Sequence, residues 1–219
     1  MGLAWIVSLA TALGQAAPAP HFVAEPIVTR QMGFSIPFKI DRPQEISHEP
    51  VEVQLHVSND RGATWRLSSK VEPLADKFAF SATMDGEYWF VVRTVDRAGV
   101  ARPEMSRAPI LRVLIDTTPP SLQLTARRGQ AGQVTAAWEI RDQRLSAESL
   151  RLHYRAGGSE TWQPVAITAG NYRVSEGTQT GEVTWWPAGA AGILQMRAEY
   201  VDAAGNPSVS HAQDRKSGV

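Results

Sequence analysis

The chain has 219 residues, equal numbers of acidic and basic residues, and 43% hydrophobic residues, which is enough apolar material for one large or two small cores. Its balanced charge argues against nucleic acid or an anionic membrane as the main partner, because both attract strongly basic proteins. The absence of cysteine excludes disulfides and thiolate metal sites.

The first residues predict a secretory signal peptide. Residues 3–13 form an apolar run that is followed by small residues and prolines. The run is too short to span a bilayer, but it suits a signal h-region with cleavage after about Ala16. Because no Lys or Arg precedes the run, a buried N-terminal helix is the alternative. We predict a signal peptide at 1–17, a secreted, periplasmic or cell-envelope location, and no membrane insertion after cleavage.

Most of the remaining chain alternates apolar and polar residues, which predicts half-buried β-strands. In residues 51–57 (VEVQLHV) every second residue is apolar, and residues 194–202 (LQMRAEYVD) follow the same pattern. Turn residues such as Asp85-Gly86 and Gly157-Gly158 separate these strands at short intervals. The sequence therefore predicts an all-β protein of antiparallel sheets.

Residues 58–65 (SNDRGATW) match the Asp-box, a hairpin pattern that resembles those of sialidase propeller blades. Asp60 can accept amide hydrogens of the turn, Gly62 can adopt positive φ, and Thr64 re-enters a strand. Ser58 completes the pattern, and Trp65 can cover the hairpin. We interpret the box as a structural turn. A glycosidase is a remote alternative, because a propeller needs at least four blades of about 40 residues.

Two halves of the chain are copies of one unit. Residues 54–65 (QLHVSNDRGATW) align without a gap on residues 151–162 (RLHYRAGGSETW), at an offset of 97. Further on, 94–99 (TVDRAG) aligns with 200–205 (YVDAAG), at an offset of 106. Upstream, 36–40 (IPFKI) aligns with 136–140 (AAWEI). Because these three blocks occur in the same order, we infer a tandem duplication. The second copy retains Thr161-Trp162 but has lost the rest of the Asp-box.

The run DGEYWFVVRTVDRAG, followed by PILRVLIDTTPPSLQL, resembles bacterial fibronectin type III and related immunoglobulin-like repeats. The resemblance covers about Phe22 to Ala212 and implies two tandem antiparallel β-sandwiches, at 22–118 and 119–212. Because the C-terminal residues are polar, we predict a disordered tail at 213–219. It also implies a tyrosine-corner hydrogen bond from Tyr88. The Pro119-Pro120 linker favours an extended connection.

Strand phase predicts the core of each copy. In the first copy the predicted core residues are Phe34, Phe38, Val53, Leu55, Phe80, Tyr88, Phe90 and Leu114. In the second they are Leu124, Trp138, Ile140, Leu152, Tyr154, Trp186, Met196 and Tyr200. The same phase points Trp89, Val91 and Trp185 outward, and we take them as a candidate ligand or partner patch.

Patterns for chemistry are scarce. We find no nucleophile elbow, phosphate loop, dinucleotide fingerprint or zinc-protease motif. His56 and His153 occupy equivalent polar positions and are expected to be solvated. Acidic residues lie near the predicted domain junction, and we expect them to cap turns rather than bind calcium. These are Asp41, Asp96, Asp116, Asp142 and Asp202.

We therefore expect no catalytic residues, no cofactor and no metal. The predicted function is an exported, non-enzymatic tandem β-sandwich module for extracellular binding, adhesion or spacing, with a protein or a glycan as partner. The alternative is a carbohydrate-binding accessory module that uses exposed tryptophans.

Overall fold

The structure, a computed structural model, describes residues 7–9, 25–40, 49–105, 108–188 and 192–216. The described chain is all β apart from a short 3₁₀ turn at Ala169–Asn171, as the alternating pattern predicted. It divides into two compact units, Met1–Thr117 and Thr118–Val219. Among the described residues no helix has the length and apolarity to cross a membrane. Apart from β1, residues 1–24 lie outside the described residues, so the predicted signal peptide is not tested.

The first unit contains two sheets. Its strands are β1 (Val7–Leu9), β2 (Ile27–Thr29), β3 (Gly33–Ile40), β4 (Pro50–Ser58), β5 (Arg66–Val71), β6 (Lys77–Ser81), β7 (Gly86–Asp96), β8 (Ala101–Arg102) and β9 (Leu111–Ile115). One sheet has the order β1-β3-β6, and the other has the order β2-β9-β7-β4-β5, with β8 paired to β7. Aromatic rings fill the space between them, including Phe80 against Phe90 with ring centroids 4.8 Å apart.

The second unit is a single path of eight strands. They are β10 (Ser121–Arg128), β11 (Val134–Arg141), β12 (Arg151–Ala156), β13 (Gln163–Val165), β14 (Tyr172–Ser175), β15 (Thr178–Trp185), β16 (Leu194–Val201) and β17 (Pro207–Lys216). Their order is β13-β12-β16-β17-β10-β11-β15-β14. The pairing of β17 with β10 joins the two halves of the path. Trp138, Leu152, Met196 and Tyr200 lie in its core.

The register of the strands repeats the duplication found in the sequence. Leu55 of β4 pairs with Val92 of β7, and Leu152 of β12 pairs with Ala198 of β16. These are the partners that the two offsets require. The residues that alternate inward along β7 and β16 are buried in both units, because equivalent strands keep the same face toward the core.

Two of the predicted core residues are wrong by one position along the strand. Along β9 Val113 and Ile115 are buried while Leu114 is only half-buried. Along β15 the side chain of Trp185 packs on the second core, whereas Trp186 follows the strand end and is 70% exposed. Since neighbouring strand residues point to opposite faces, an error of one position exchanges core and surface.

The predicted disordered tail is also wrong where the structure describes it. β17 continues to Lys216, four residues past the expected boundary at 213. Asp214 anchors this end, since its carboxylate accepts from Leu194 N at 2.7 Å and from Arg128 Nε at 2.5 Å. Residues 217–219 lie outside the described residues.

Candidate functional site

The Asp-box forms the tight turn between β4 and β5. Ser58 Oγ donates to Asp60 Oδ1 at 2.7 Å and accepts from Gly62 N at 2.8 Å. The Asp60 carboxylate also accepts from Thr64 N at 2.9 Å and from Thr64 Oγ1 at 2.6 Å. Gly62 has φ +81°, which glycine adopts without steric cost. Trp65 follows the turn and is half-buried. The side chains of Ser58, Asp60 and Thr64 thus hydrogen-bond within the turn itself.

These hydrogen bonds from Thr64 and Ser58 lower the pKa of Asp60 from 3.8 to about 2. Because the folded-state value is depressed, the stabilisation is fully present above pH 3.8 and is lost as pH falls through about 2. We expect Asp60→Asn to lower the midpoint of thermal unfolding of the first unit at pH 5, with a smaller difference from wild type at pH 2.

Asp76→Asn is the matched control for this substitution. Asp76 is an exposed aspartate whose side chain makes no hydrogen bond among the described residues, so its replacement should have little effect at either pH. A constant difference between wild type and Asp60→Asn across this pH range would contradict the assigned role of the carboxylate.

The turns after β7 and β16 use their aspartates in the same way. Asp96 Oδ1 accepts from Ala98 N at 3.0 Å and from Val100 N at 2.9 Å. Asp202 accepts from Asn206 N at 2.8 Å and from Asn206 Nδ2 at 2.9 Å. The fibronectin-like D-x-A-G pattern therefore closes a hairpin in both units.

The other junction carboxylates lie in different settings. Asp142, in the second unit, accepts from Arg144 N at 2.5 Å, and one of its oxygens lies within 4.8 Å of a carboxylate oxygen of Asp202. Asp116 belongs to the first unit, where its backbone N donates to Thr29 O at 3.0 Å. Asp41 lies outside the described residues. We assign these described carboxylates to turns and strand ends.

The tyrosine-corner hydrogen bond is present in the first unit, where Tyr88 Oη donates to Met84 O at 2.9 Å. The second unit has Leu194 at the equivalent position. There Tyr200 Oη accepts from Ser146 N at 2.6 Å and ties a different loop to the sheet.

The candidate patch of Trp89, Val91 and Trp185 is not an exposed surface. Val91 is only 2% exposed, and Trp185 packs on the core of the second unit, with its ring 5.7 Å from that of Tyr154. Trp89 is half-buried; its Nε1 donates to Glu87 at 2.8 Å, and Arg112 lies over its ring at 5.3 Å. The patch prediction is corrected because neighbouring side chains cover these residues.

His56 is likewise more buried than expected, at 9% exposure, whereas His153 is half-buried. His56 lies opposite Val91 in the β4–β7 register and contacts Gln54 Oε1 at 3.0 Å through Nε2. Burial, with the nearby charge of Arg93, lowers the pKa of His56 below its ordinary value. The prediction that the His56 side chain lies on the outward phase of its strand was correct, but the prediction that it is solvated was wrong.

A concave surface lies in the second unit, along β10 and β17. These strands pair in parallel only where Ala126–Arg128 meets Asp214–Lys216. Before that point, residues 121–125 pair only with β11, and residues 207–213 pair only with β16, among the described strands. β10 and β17 nevertheless run side by side, with Cα atoms within 8 Å of each other along much of both strands.

Beside them lies a groove of about 860 Å³, which we call the β10–β17 groove. It is lined by Leu124, Thr125, Ala126, Arg127, Arg155, Trp162, Ile193, Gln195, Met196, His211, Ala212, Gln213 and Asp214. Leu124, Ala126 and Met196 lie at its floor and belong to the hydrophobic core, where they are 8%, 6% and 0% exposed.

Arg155 and Trp162 form a stacked pair at one side of the groove. The Arg155 guanidinium lies 4.9 Å from the Trp162 ring centroid, and its Nε donates to Gln195 Oε1 at 2.6 Å. Arg197 lies 6.0 Å from the same ring. Stacking and hydrogen bonding restrict the guanidinium, so its position is set before a ligand arrives.

The groove carries an excess of positive charge. Its lining includes a single carboxylate, Asp214, which already accepts from Arg128 and Leu194 N. Arg127 is exposed, and neither Arg127 nor Arg155 has a carboxylate partner among the described residues. An anionic group would therefore complement this lining.

Sequence reasoning missed this groove, although it singled out Trp162. The alignment places Trp162 over Trp65 of the Asp-box, and Arg155 over Ser58. The second copy keeps Trp162 although it has lost the rest of the Asp-box. This difference is the signal that could have identified its hairpin as specialised. The groove depends on the pairing of β10 with β17, and no local sequence pattern predicts that pairing.

No protein-family model matches the sequence, and no curated protein matches it. Among solved structures, the FN1–FN3 domains of chicken CNTN1 align at 11% identity and TM-score 0.36, over 88% of this chain and 65% of that one. A tetra-tandem repeat in the extending region of a large adhesion protein aligns at 14% identity and TM-score 0.32, over 76% of this chain and 42% of that one. A marsupial T cell receptor aligns at 14% identity and TM-score 0.29, over 86% of this chain and 94% of that one.

The chain thus spans 65% and 42% of the lengths of the first two structures. At these identities and TM-scores the likenesses carry nothing about its activity or partners. The fold assignment instead comes from the strands, registers and cores described above.

Proposed function

We propose that the chain is a non-enzymatic binding module and that the β10–β17 groove of its second sandwich is the ligand site. The observation that carries this proposal is the groove itself. Its volume of about 860 Å³ falls in the range of ligand pockets, about 300–1,000 Å³, and it combines an apolar floor with a few positioned polar groups.

A binding role suits the groove better than catalysis. Its one carboxylate, Asp214, is engaged by Arg128, and its one histidine, His211, is exposed and forms no hydrogen bond or ion pair with that carboxylate among the described residues. General acid–base chemistry needs a positioned pair of such groups, whereas recognition needs only fixed charge and shape.

We further propose that the module is exported and acts outside the cytoplasm in binding, adhesion or spacing. The apolar run at residues 3–13, with small residues around Ala16, supports this proposal. The carbohydrate-binding alternative is retained through Trp162 rather than through Trp89 and Trp185.

One experiment tests the proposal. The full chain is expressed with its native N-terminus in a secreting host, and the mass of the recovered product is measured. We expect the product to begin near Ala17. The product is then screened against a glycan array and a displayed peptide library, together with the Trp162→Leu variant.

The binding-module proposal is supported if the wild-type chain binds at least one class of ligand and the Trp162→Leu variant does not. Trp186→Leu is the matched control, since Trp186 is exposed and does not line the groove. Ligands that bind both variants equally would place the site elsewhere, and a product that retains Met1 would contradict export.

A further inference from the structure

We infer that the ligand of the β10–β17 groove is an acidic glycan, an oligosaccharide whose carboxylate or sulfate groups are bound by Arg155 and Arg127. This inference rests on the proposed function and specifies its ligand. Both arginines line the groove, and neither has a carboxylate partner among the described residues. A guanidinium presents several N–H donors in one plane, which suits the paired oxygens of a carboxylate and equally those of a sulfate.

The polar wall of the groove is built by three neighbouring strands. Arg155 of β12 lies opposite Gln195 of β16, and Gln195 lies opposite Gln213 of β17. Two positions along the same strands, and therefore on the same face, Arg197 of β16 lies opposite His211 of β17. Because side chains directly opposite each other are about 5 Å apart, these groups form a continuous polar surface. The wall thus presents guanidinium, amide and imidazole groups to a ligand that is rich in hydroxyl and anionic groups.

The groove offers a peptide neither strand pairing nor apolar anchor sites. β16 pairs with one edge of β17, and β10 runs along the other, so neither edge is open to an added strand. Leu124, Ala126 and Met196 at the floor are almost fully buried, so they leave no cavity for an apolar side chain. The accessible part of the groove is its polar wall, which a glycan matches better than a peptide.

Charge, rather than stacking on a sugar ring, is the expected means of recognition. Sugar stacking needs an open aromatic face, but Arg155 and Arg197 already lie over the Trp162 ring, at 4.9 Å and 6.0 Å from its centroid. The indole thus positions the two guanidinium groups. Because Arg197 is also paired with Glu199, the positive charges that remain for a ligand are those of Arg155 and Arg127.

The equivalent positions of the first sandwich carry other groups. Ser58, which is equivalent to Arg155, is hydrogen-bonded within the Asp-box turn. Trp89 lies opposite Ser58, and Arg112 lies opposite Trp89. Arg112 donates to Glu87 at 2.7 Å, so its charge is neutralised on the face of the sheet. The anion-binding groups are therefore specific to the second sandwich.

The test measures binding of the full chain to two probes by isothermal titration calorimetry at low ionic strength. The probes are a galacturonate hexamer, which carries carboxylates, and a chondroitin sulfate hexasaccharide, which also carries sulfates. We expect at least one of them to bind, with an affinity that falls as salt is added, and a preference between them identifies the anion. Absence of binding to both would overturn the inference.

The methyl ester of the galacturonate hexamer is the matched control for the ligand. It keeps the sugar rings and the hydroxyl groups but has lost the negative charges, so it should bind about tenfold or more weakly than the acid. An ester that binds as tightly as the acid would show that charge does not select the ligand.

Arg155→Gln and Arg127→Gln each remove one positive charge from the groove. Each should weaken binding of the acidic probe about tenfold. Arg127 is exposed, so its variant remains informative if Arg155→Gln does not fold.

Arg173→Gln is the matched control for these two variants. Arg173 is exposed on β14 and lies outside the lining of the groove, so binding should stay within about twofold of wild type. Equal losses in all three variants would overturn the inference, because they would indicate a non-specific effect of net charge.

The remaining outcomes separate this inference from the broader proposal. If oligoglutamate binds as tightly as the acidic probes and loses affinity equally in Arg155→Gln, the ligand is an acidic peptide and the glycan assignment is overturned. Neutral glycans that bind wild type but not Trp162→Leu would overturn it as well. Both results leave the binding module intact, whereas absence of any ligand that depends on the groove would overturn both proposals.

Discussion

Gly181→Ala is expected to destabilise the second sandwich by about 3 kcal/mol, an overpacking effect. A Cβ at Gly181 would lie 2.4 Å from Trp138 Cζ2 and 2.5 Å from Asn171 O. Trp138 is 3% exposed in the core, so its ring has little room to move. The midpoint of the corresponding thermal transition should fall by roughly 15 °C for a domain of this size.

Gly33→Ala provides the comparison for this prediction. Gly33 also lies in a strand, but the nearest atom to an added Cβ is Phe80 O at 3.9 Å. Its replacement should change stability by less than about 1 kcal/mol. A Gly181→Ala protein with wild-type stability would show that Trp138 does not pack over this strand.

Asp214→Ala should cost about 3 kcal/mol, because it removes one partner of a largely buried ion pair. The side chains of Asp214 and Arg128 are 4% and 16% exposed, and Leu194 N would lose its acceptor as well. Chemical denaturation of the second sandwich measures the loss. Glu160→Ala, at an exposed acidic residue of the same unit, should have little effect.

A double substitution distinguishes charge from packing. Arg128→Met combined with Asp214→Leu should recover part of the lost stability, since apolar residues of similar volume often replace a buried ion pair without a large cost. A neutral Asp214→Ala variant would show that the Asp214 carboxylate does not hold the end of β17 in place.

Local patterns predicted much of the sandwich framework. The alternation in residues 51–57 predicted the buried face of β4, and the repeat offsets predicted both Leu55–Val92 and Leu152–Ala198 as cross-strand partners. These features succeed because strand phase and turn chemistry depend on neighbouring residues, which a sequence displays directly.

The failures share one physical cause. Trp185 and Trp186 are adjacent, and only the register of β15 on β11, where Val134 faces Trp185, decides which ring enters the core. The sequence around Asp214 is polar and near the chain end, which favours a tail. A partner 86 residues away, Arg128, makes it part of a strand.

The sequence by itself determined an all-β chain, its duplication, the Asp-box turn and the D-x-A-G hairpins. Each of these depends on contacts between residues close in sequence or on a pattern repeated along it. Only the tertiary structure decided that Trp89, Val91 and Trp185 are covered, and that Arg155 and Trp162 flank a groove. Exposure and recognition depend on which distant strands meet, because β10 and β17 join through residues more than eighty positions apart.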